Sequence, residues 1–151
     1  MTPADPARVI AAALHWLGTP YQHQASTRGA GCDCLGLARG VWRALHGAEP
    51  LPIPPYTRDW GEAGGREVLA EAARRFLIEV PLAEAGPGAL ILFRMAPHAP
   101  AKHCGILIGG GRFLHAYEGA GVVLHPWSPA WARRARFAFL FPAPGSSPGQ
   151  G

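Results

Sequence analysis

The strongest constraint on the fold is a change in hydrophobic spacing near the middle of the chain. Before residue 77 the apolar residues recur every three or four positions, which is typical of helices that bury one face. After Gly86-Pro87-Gly88 they form short runs separated by glycines, which is typical of β-strands. Helices followed by strands, rather than alternating with them, predict an α+β fold with an antiparallel sheet.

Capping residues give the bounds of three predicted helices. Asp5 and Pro6 start a helix over residues 6–17, and a second helix runs from Cys34 to residue 45 before Gly47. A shorter third helix is predicted over residues 67–76. Five strands are predicted for the second half, over residues 89–94, 103–108, 112–117, 122–125 and 136–141.

Length and composition indicate one domain. The 151 residues, of which 48% are hydrophobic and 16% charged, are enough to bury a core without disulfide bonds. We expect this domain to cover residues 1–143. Residues 144–151 are Pro, Gly, Ser and Gln and are predicted to form a disordered tail.

Hydropathy and charge argue against membrane and nucleic-acid partners. No apolar run approaches the roughly 18 residues that span a bilayer, and Asp5 and Pro6 stand where a signal peptide has basic residues. The net charge is +4, but no nucleic-acid recognition motif accompanies the arginines. We therefore expect a protein made in the cytoplasm without a signal peptide, with no membrane span and no nucleic-acid partner.

Cys34 is the candidate nucleophile. It follows Asp33 at the first turn of the second predicted helix, where the helix dipole and unpaired backbone N–H groups stabilise a thiolate. The same N–H groups can accept the oxyanion that forms when a thiolate attacks a carbonyl. Taken alone, such a cysteine is equally well a small buried core residue. The presence of a partner base would favour the nucleophile over the core residue.

His103 and His115 are the candidate partners of this thiol. They lie on two neighbouring predicted strands, and Gly105 lies opposite His115 if the hairpin loop has three residues. His103 and Gly105 share a face, so both imidazoles point the same way, at a diagonal spacing of roughly 7–8 Å. The other histidines are interpreted as exposed or hydrogen-bonded residues outside the site: His15, His23, His46, His98 and His125.

This pairing depends on the loop at residues 109–111. A three-residue loop places Ile108 opposite Arg112. A two-residue loop would turn His115 to the opposite face of the sheet, because side chains alternate along a strand.

Four motifs in this order resemble those of the NlpC-type cysteine peptidases, which cut cell-wall peptides and share a papain-like core. They are Gly18-Thr19-Pro20-Tyr21, Asp33-Cys34-Leu35-Gly36-Leu37, His103-Cys104-Gly105-Ile106 and Phe113-Leu114-His115-Ala116. The resemblance extends from the first helix to the last strand. It implies that the helix carrying the nucleophile packs on the antiparallel sheet.

The resemblance also implies a role for each site residue. Cys34 would be the nucleophile, His103 the general base and acid, and His115 the residue that orients His103. Tyr21 would lie beside the oxyanion, and Asp33 where some members hold a substrate amine. The implied reaction is hydrolysis of an amide bond in a peptidoglycan stem peptide, typically between D-glutamate and a diamino acid.

Two details extend or limit the resemblance. The sequence His-Gln-Ala-Ser at residues 23–26, together with Cys32 before the nucleophile motif, is similar to the tail-associated peptidases of phages and gene transfer agents. A phage-like particle would then carry the enzyme to the cell wall, with tail or baseplate proteins as partners. Leu35 departs from the commoner serine, and the insertion over residues 48–88 is longer than in many relatives.

Two alternatives from other classes remain open. One is a zinc-organised binding module with Cys32, Cys34, His103 and Cys104 as ligands. Against it, Cys-x-Cys is a tighter pair than zinc sites usually have, and alternation sends His103 and Cys104 to opposite faces of one strand. The other is a catalytically inactive structural component of a phage-like tail tip. We expect no metal and no cofactor.

Overall fold

The computed structural model describes residues 1–50 and 66–145. In these two segments the chain forms four α-helices, eight β-strands and a short 3₁₀ helix at Leu82–Glu84. The helices are α1 (Pro6–Leu14), α2 (Cys34–His46), α3 (Val68–Phe76) and α4 (Pro129–Arg134). The strands are β1 (Ser26–Thr27), β2 (Gly31–Cys32), β3 (Ile78–Val80), β4 (Leu90–Phe93), β5 (His103–Gly109), β6 (Arg112–Tyr117), β7 (Gly121–Pro126) and β8 (Ala135–Leu140).

Six strands form one antiparallel sheet in the order β3-β8-β4-β5-β6-β7, which confirms the predicted α+β fold. The prediction of five strands is one short. The additional strand is β3, which pairs with β8 at the edge of the sheet. Its three residues come almost directly after helix α3 and are too few to show an alternating pattern in the sequence.

The two faces of the sheet are covered by different elements. Helices α1, α2 and α3 pack on one face, in a core that includes Leu37 and Ile106. The other face carries a smaller cluster, in which Phe93 and Phe113 of the sheet meet Trp131 of α4. The face without the three large helices therefore also carries a cluster of buried side chains.

Helix α2 starts and stops where the sequence predicts. The Asp33 Oδ1 atom accepts a hydrogen bond from the backbone N–H of Gly36 at 2.7 Å, and Gly47 ends the helix with φ of 84°. Helix α1 ends at Leu14 and not at residue 17, because the N–H groups of Trp16 and Leu17 bond to carbonyl oxygens three residues back, those of Ala13 and Leu14.

Strands β1 and β2 hold the preceding loop against the start of α2. Ser26 pairs with Cys32, and the Ser26 hydroxyl donates a hydrogen bond to the carbonyl oxygen of Gly36 at 2.6 Å. A Cβ atom at position 36 would overlap the carbonyl oxygen of Ala25. Only glycine lets the loop approach the helix this closely.

The tip of the β5–β6 hairpin differs from the prediction. Arg112 pairs with Gly109 and not with Ile108, so the loop contains only Gly110 and Gly111. These two glycines have φ of 64° and 72°, the conformation that a tight two-residue hairpin turn requires. The predicted three-residue loop is therefore wrong.

A bulge in strand β5 nevertheless restores the predicted register. The pairing shifts between Leu107 and Gly109, and below this shift Ile106 lies opposite Leu114. One step further along the same ladder, Gly105 faces His115, as predicted. The extra residue sits in the strand rather than in the loop, and a bulge of this kind re-aims the side chains beyond it.

Some expectations fall partly outside the described residues. Within the insertion over 48–88, residues 51–65 are not described, and α3 and β3 occupy much of the remainder. Only the first two residues of the predicted tail 144–151 are described, so the domain bounds stay a prediction. None of the helices in the described segments combines the length and apolar character needed to cross a membrane.

Candidate active site

Cys34 and His103 meet where helix α2 and strand β5 begin. Cys34 is the first residue of α2, and His103 is the first residue of β5. The Cys34 Sγ atom lies 3.7 Å from the carbonyl oxygen of Lys102, the residue directly before His103. Cys34 is half-buried. The predicted nucleophile and the predicted base are thus brought together by the starts of two elements.

The surroundings of Cys34 favour its thiolate. The pKa of the Cys34 thiol is lowered well below its usual value, first because the thiol of Cys104 donates a hydrogen bond to it. A hydrogen bond from His103 and the positive charge of its ring lower the pKa further. Burial and the Asp33 carboxylate raise it without reversing the shift. The thiolate is the nucleophilic form of cysteine.

His103 and His115 are in direct contact. Nε2 of His103 lies 2.7 Å from Nδ1 of His115, and the two rings meet edge to face with their centroids 4.9 Å apart. The prediction that both imidazoles point to one face is confirmed. Because Nε2 of His103 is engaged by His115, the nitrogen that remains for Cys34 is Nδ1.

Gly105 and a set of aromatic rings hold the His103 side chain in place. A Cβ atom at position 105 would come within 3.0 Å of the carbonyl oxygen of Leu114 and 3.1 Å of the Cβ of His115. The ring of His103 lies 5.8 Å from that of Phe93 and 6.0 Å from that of Trp131. Because Gly105 has no side chain, the ring of His103 has space to approach His115. The rings of Phe93 and Trp131 limit the movement of the His103 ring on its other side.

His115 is buried and neutral. It has no exposed surface, and burial lowers its pKa from 6.5 to about 3, helped by the charges of His103 and His125. A neutral imidazole carries one N–H, so one of its nitrogens donates a hydrogen bond and the other accepts. His115 can therefore accept from His103 only while its own proton is on Nε2.

A third histidine continues the contact, and the sequence analysis did not place it in the site. Nδ1 of His125 lies 2.9 Å from Nε2 of His115. His115 is opposite Val123 in the β6–β7 ladder, and two residues further along, His125 returns to the same face. Counting the register across the turn between these strands would have found it.

Acidification is expected to destabilise the fold through His115. Its pKa is about 3 in the folded chain against 6.5 normally, so unfolding takes up a proton below about pH 6.5. The stability loss grows as the pH falls from 6.5 and is complete near 3. Between about pH 7.5 and about pH 5 the free energy of unfolding should fall by about 2 kcal/mol from this residue. Urea unfolding at the two pH values measures it.

The matched variant for this prediction is His115→Asn, which keeps an acceptor near the position of Nδ1 and does not titrate. Between the same two pH values, the free energy of unfolding of this variant should fall by about 2 kcal/mol less than that of the wild type. His15→Asn, at an exposed position, should behave as the wild type. An unchanged pH dependence in His115→Asn would contradict a neutral, buried His115.

The carboxylate of Asp33 stabilises the local structure around the nucleophile. Its Oδ1 accepts from the N–H of Gly36 and its Oδ2 from the N–H of Gln24, each at 2.7 Å. The residue is 2% exposed, and Nδ1 of His23 lies 3.9 Å from Oδ2. Asp33 thus fixes the helix start and the loop beside it. Its predicted contact with a substrate amine stays a prediction.

Tyr21 lies beside the segment that leads into α2. It forms a parallel bridge with Cys32, supported by hydrogen bonds of 3.0 Å from the Gln22 N–H to the Cys32 carbonyl and from the Cys32 N–H to the Pro20 carbonyl. Its half-buried side chain packs against the same hydrophobic core as Cys34. Tyr21 therefore lies beside the strand that leads into the nucleophile, and its place at the oxyanion stays a prediction.

The other two cysteines are buried thiols. Cys32 has no exposed surface, and burial, with the charges of Asp33 and Cys34, raises its pKa to about 12. The Cys104 thiol lies 3.3 Å from the carbonyl oxygen of Cys34, and its pKa is raised by its hydrogen bond with the Cys34 thiolate and by burial. Within the described residues, no group of three or more His, Cys, Asp or Glu side chains is arranged to hold a metal ion.

This arrangement suits acyl transfer. A thiolate at a helix N-terminus can attack a carbonyl carbon, and the backbone N–H groups of the first turn can bind the oxyanion. His103 contacts both Cys34 and His115. It can therefore carry a proton between the thiol and a leaving group while its ring stays oriented.

One curated relative is similar to most of this chain. Murein DD-endopeptidase MepS/murein LD-carboxypeptidase of Escherichia coli (strain K12) is 29% identical over 128 residues. The match covers 84% of this chain and 58% of the relative. The chain thus spans little more than half the length of that protein.

Solved structures and a family profile complete the comparison. The NlpC/p60 domain of peptidoglycan hydrolase SagA superposes with a TM-score of 0.59 and 24% identity, covering 90% of this chain and 98% of that one. An NlpC/P60 family protein from Bacillus cereus gives 0.63 and 23%, covering 90% and 40%. The NlpC/P60 family profile matches residues 18–138, which contain Cys34, His103, His115 and their contacts. The chain therefore belongs to the NlpC/P60 family.

Proposed function

We propose that this protein is a cysteine endopeptidase that hydrolyses amide bonds in peptidoglycan stem peptides. The observation that carries the proposal is the unbroken contact from Cys34 at the start of α2 through His103 to His115. Membership of the NlpC/P60 family and similarity to a murein endopeptidase support the same reaction class. No metal or cofactor is needed for this chemistry.

The proposed reaction proceeds through an acyl-enzyme. The Cys34 thiolate bonds to the scissile carbonyl carbon. As the carbonyl oxygen becomes an oxyanion, the backbone N–H groups of the first turn of α2 donate hydrogen bonds to it. His103 gives its proton to the amine as the C–N bond breaks. Water then attacks the thioester while His103 takes a proton, which releases the acid and restores the thiolate.

The remaining site residues receive supporting roles. His115 orients His103 through the contact between Nδ1 and Nε2, and Tyr21 borders the oxyanion. Asp33 attracts the amine of the substrate. Because its carboxylate is 2% exposed and bound to two backbone N–H groups, that attraction acts through charge rather than through direct contact.

For the scissile bond we propose the link between D-glutamate and the diamino acid of the stem. This choice rests on the resemblance of the Tyr21, Cys34, His103 and His115 motifs to those of stem-peptide hydrolases. Leu35, where serine is common in relatives, lies directly after the nucleophile and lines an apolar cavity with Trp42. This departure bears on substrate preference, because a serine at that position can help hold the substrate.

Digestion of purified peptidoglycan by the full chain, followed by mass spectrometry of the soluble fragments, tests the proposal. The expected products are stems that end in D-glutamate and peptides with a newly free amino group on the diamino acid. Cleavage at another stem bond would overturn the choice of bond but keep the hydrolase. No fragments from the wild type would overturn the hydrolase and favour an inactive structural component. The same fragments from Cys34→Ala would overturn Cys34 as the nucleophile of a cysteine endopeptidase.

For delivery we propose a phage-like particle in which this chain is bound to tail or baseplate proteins and acts at the cell wall. The support is the similarity of residues 23–26 and Cys32 to tail-associated peptidases of phages and gene transfer agents. Particles purified from the producing cells should contain this chain at a constant ratio to tail proteins in mass spectrometry. A chain recovered only outside the particle fraction would contradict this route.

A further inference from the structure

The histidine contact does not end at His115. The three strands β5, β6 and β7 are consecutive in the sheet, and each places one imidazole on the same face. Their nitrogens follow in series, from Nε2 of His103 to Nδ1 of His115 at 2.7 Å and from Nε2 of His115 to Nδ1 of His125 at 2.9 Å. Both distances are those of hydrogen bonds.

The proposed reaction determines the direction of the first hydrogen bond. When His103 holds the proton from Cys34, both of its ring nitrogens carry hydrogen, and Nε2–H has to donate to His115. Nδ1 of His115 must then be the acceptor, so the one proton of this neutral ring lies on Nε2. In the opposite tautomer two N–H groups would face each other across 2.7 Å.

The second hydrogen bond can select this tautomer. Nε2–H of His115 needs an acceptor, because the ring has no exposed surface and no access to water. Nδ1 of His125 lies opposite at 2.9 Å. It accepts when the proton of His125 is on its other nitrogen. The rings of Phe113, Tyr117 and Trp131 lie 6.1, 5.8 and 6.2 Å from that of His125 and border it with largely apolar surface.

We propose that His125 is a positioning residue of this site, whose Nδ1 accepts a hydrogen bond from Nε2–H of His115 and so keeps Nδ1 of His115 available to accept from His103. The consequence for activity rests on the proposed hydrolase function, whereas the tautomer of His115 can be measured without any substrate. The positioning role of His125 requires a hydrogen-bond acceptor at the place of Nδ1, and it does not require an imidazole ring.

Long-range ¹⁵N–¹H spectra of the full chain, labelled with ¹⁵N-histidine and recorded near neutral pH, report which nitrogen of His115 carries the proton. In the wild type and in His125→Asn, whose side-chain oxygen can replace Nδ1 as acceptor, we expect the proton on Nε2. In His125→Leu, which has similar volume and no acceptor, the signals should move towards the other tautomer. His125→Ala serves as a second acceptor-free variant, and His15→Leu is the exposed control.

The same variants are then compared on a peptidoglycan stem peptide. The kcat of His125→Leu should fall about tenfold, the effect of one hydrogen bond, and that of His125→Asn should stay within about twofold. An unchanged His115 tautomer in both His125→Leu and His125→Ala, or equal losses in the Asn and Leu variants, would overturn the proposal. Tautomer shifts as expected in a chain without activity would support the positioning role and overturn the hydrolase instead.

Discussion

Replacing Cys34 with alanine is expected to abolish the release of amino groups from purified peptidoglycan, with a fall in kcat of about 10⁴-fold or more. The sulfur is the atom that bonds to the substrate, so its loss removes the covalent route and not only one contact. Neither remaining cysteine can substitute, because Cys32 and Cys104 are buried and their pKa values are raised. A colorimetric amino-group assay at equal protein concentrations measures the difference.

The matched control is Cys32→Ala, which removes a buried thiol two residues earlier in the chain. It should keep most of the wild-type rate, since Cys32 contacts no reacting atom in the proposed mechanism. Circular dichroism of both variants shows whether the fold is retained. A Cys34→Ala variant that is folded and active would disprove nucleophilic catalysis by this residue.

Cys34 is expected to be the one cysteine that iodoacetamide labels rapidly at about pH 6.5. Alkylation requires the thiolate, and the pKa of Cys34 is lowered by its hydrogen bonds from Cys104 and His103. The pKa of Cys32 is about 12, so fewer than about one in 10⁴ of its thiols is ionised at that pH. Cys104 is buried, and its pKa is also raised. Peptide mass spectrometry over a time course gives the three rates.

A histidine variant tests the source of this reactivity. His103→Gln removes the positive charge beside the thiolate, so labelling of Cys34 should slow while that of the other thiols is unchanged. His15→Gln, at an exposed position of the first helix region, should have no effect. Equal labelling of all three cysteines in the wild type would show that the thiol of Cys34 is not activated.

The parts of the site that sequence analysis predicted depend on local rules. Asp33 is a helix cap whose hydrogen bond reaches only to Gly36, so the start of α2 and the position of Cys34 follow from neighbouring residues. The contact of His103 with His115 followed from alternation along two strands joined by a short loop. The predicted register of β5 against β6 is correct although the predicted loop length is wrong. The residue that the prediction placed in the loop lies instead in the bulge of β5.

The parts that were missed are either very short or non-local. Strand β3 and helix α4 have three and six residues, too few for a period to show. A start signal for α4 exists, since Ser128 caps it and Pro129 occupies its first turn. His125 is different: its residue type gives no sign of its role, and only the pairing of β7 with β6 brings it to His115.

The bulge before Gly109 limits which changes of chain length the site tolerates. One residue more or less between His103 and the bulge would turn that end of β5 over and place His103 on the face covered by the three large helices. The hydrophobic composition would hardly change, yet the histidines would no longer meet. Gly110 and Gly111 are exposed and lie beyond the bulge. A change by two residues between His103 and the bulge would keep His103 on the same face as His115 but move it by roughly 7 Å along the strand, so that end of β5 tolerates no change of length.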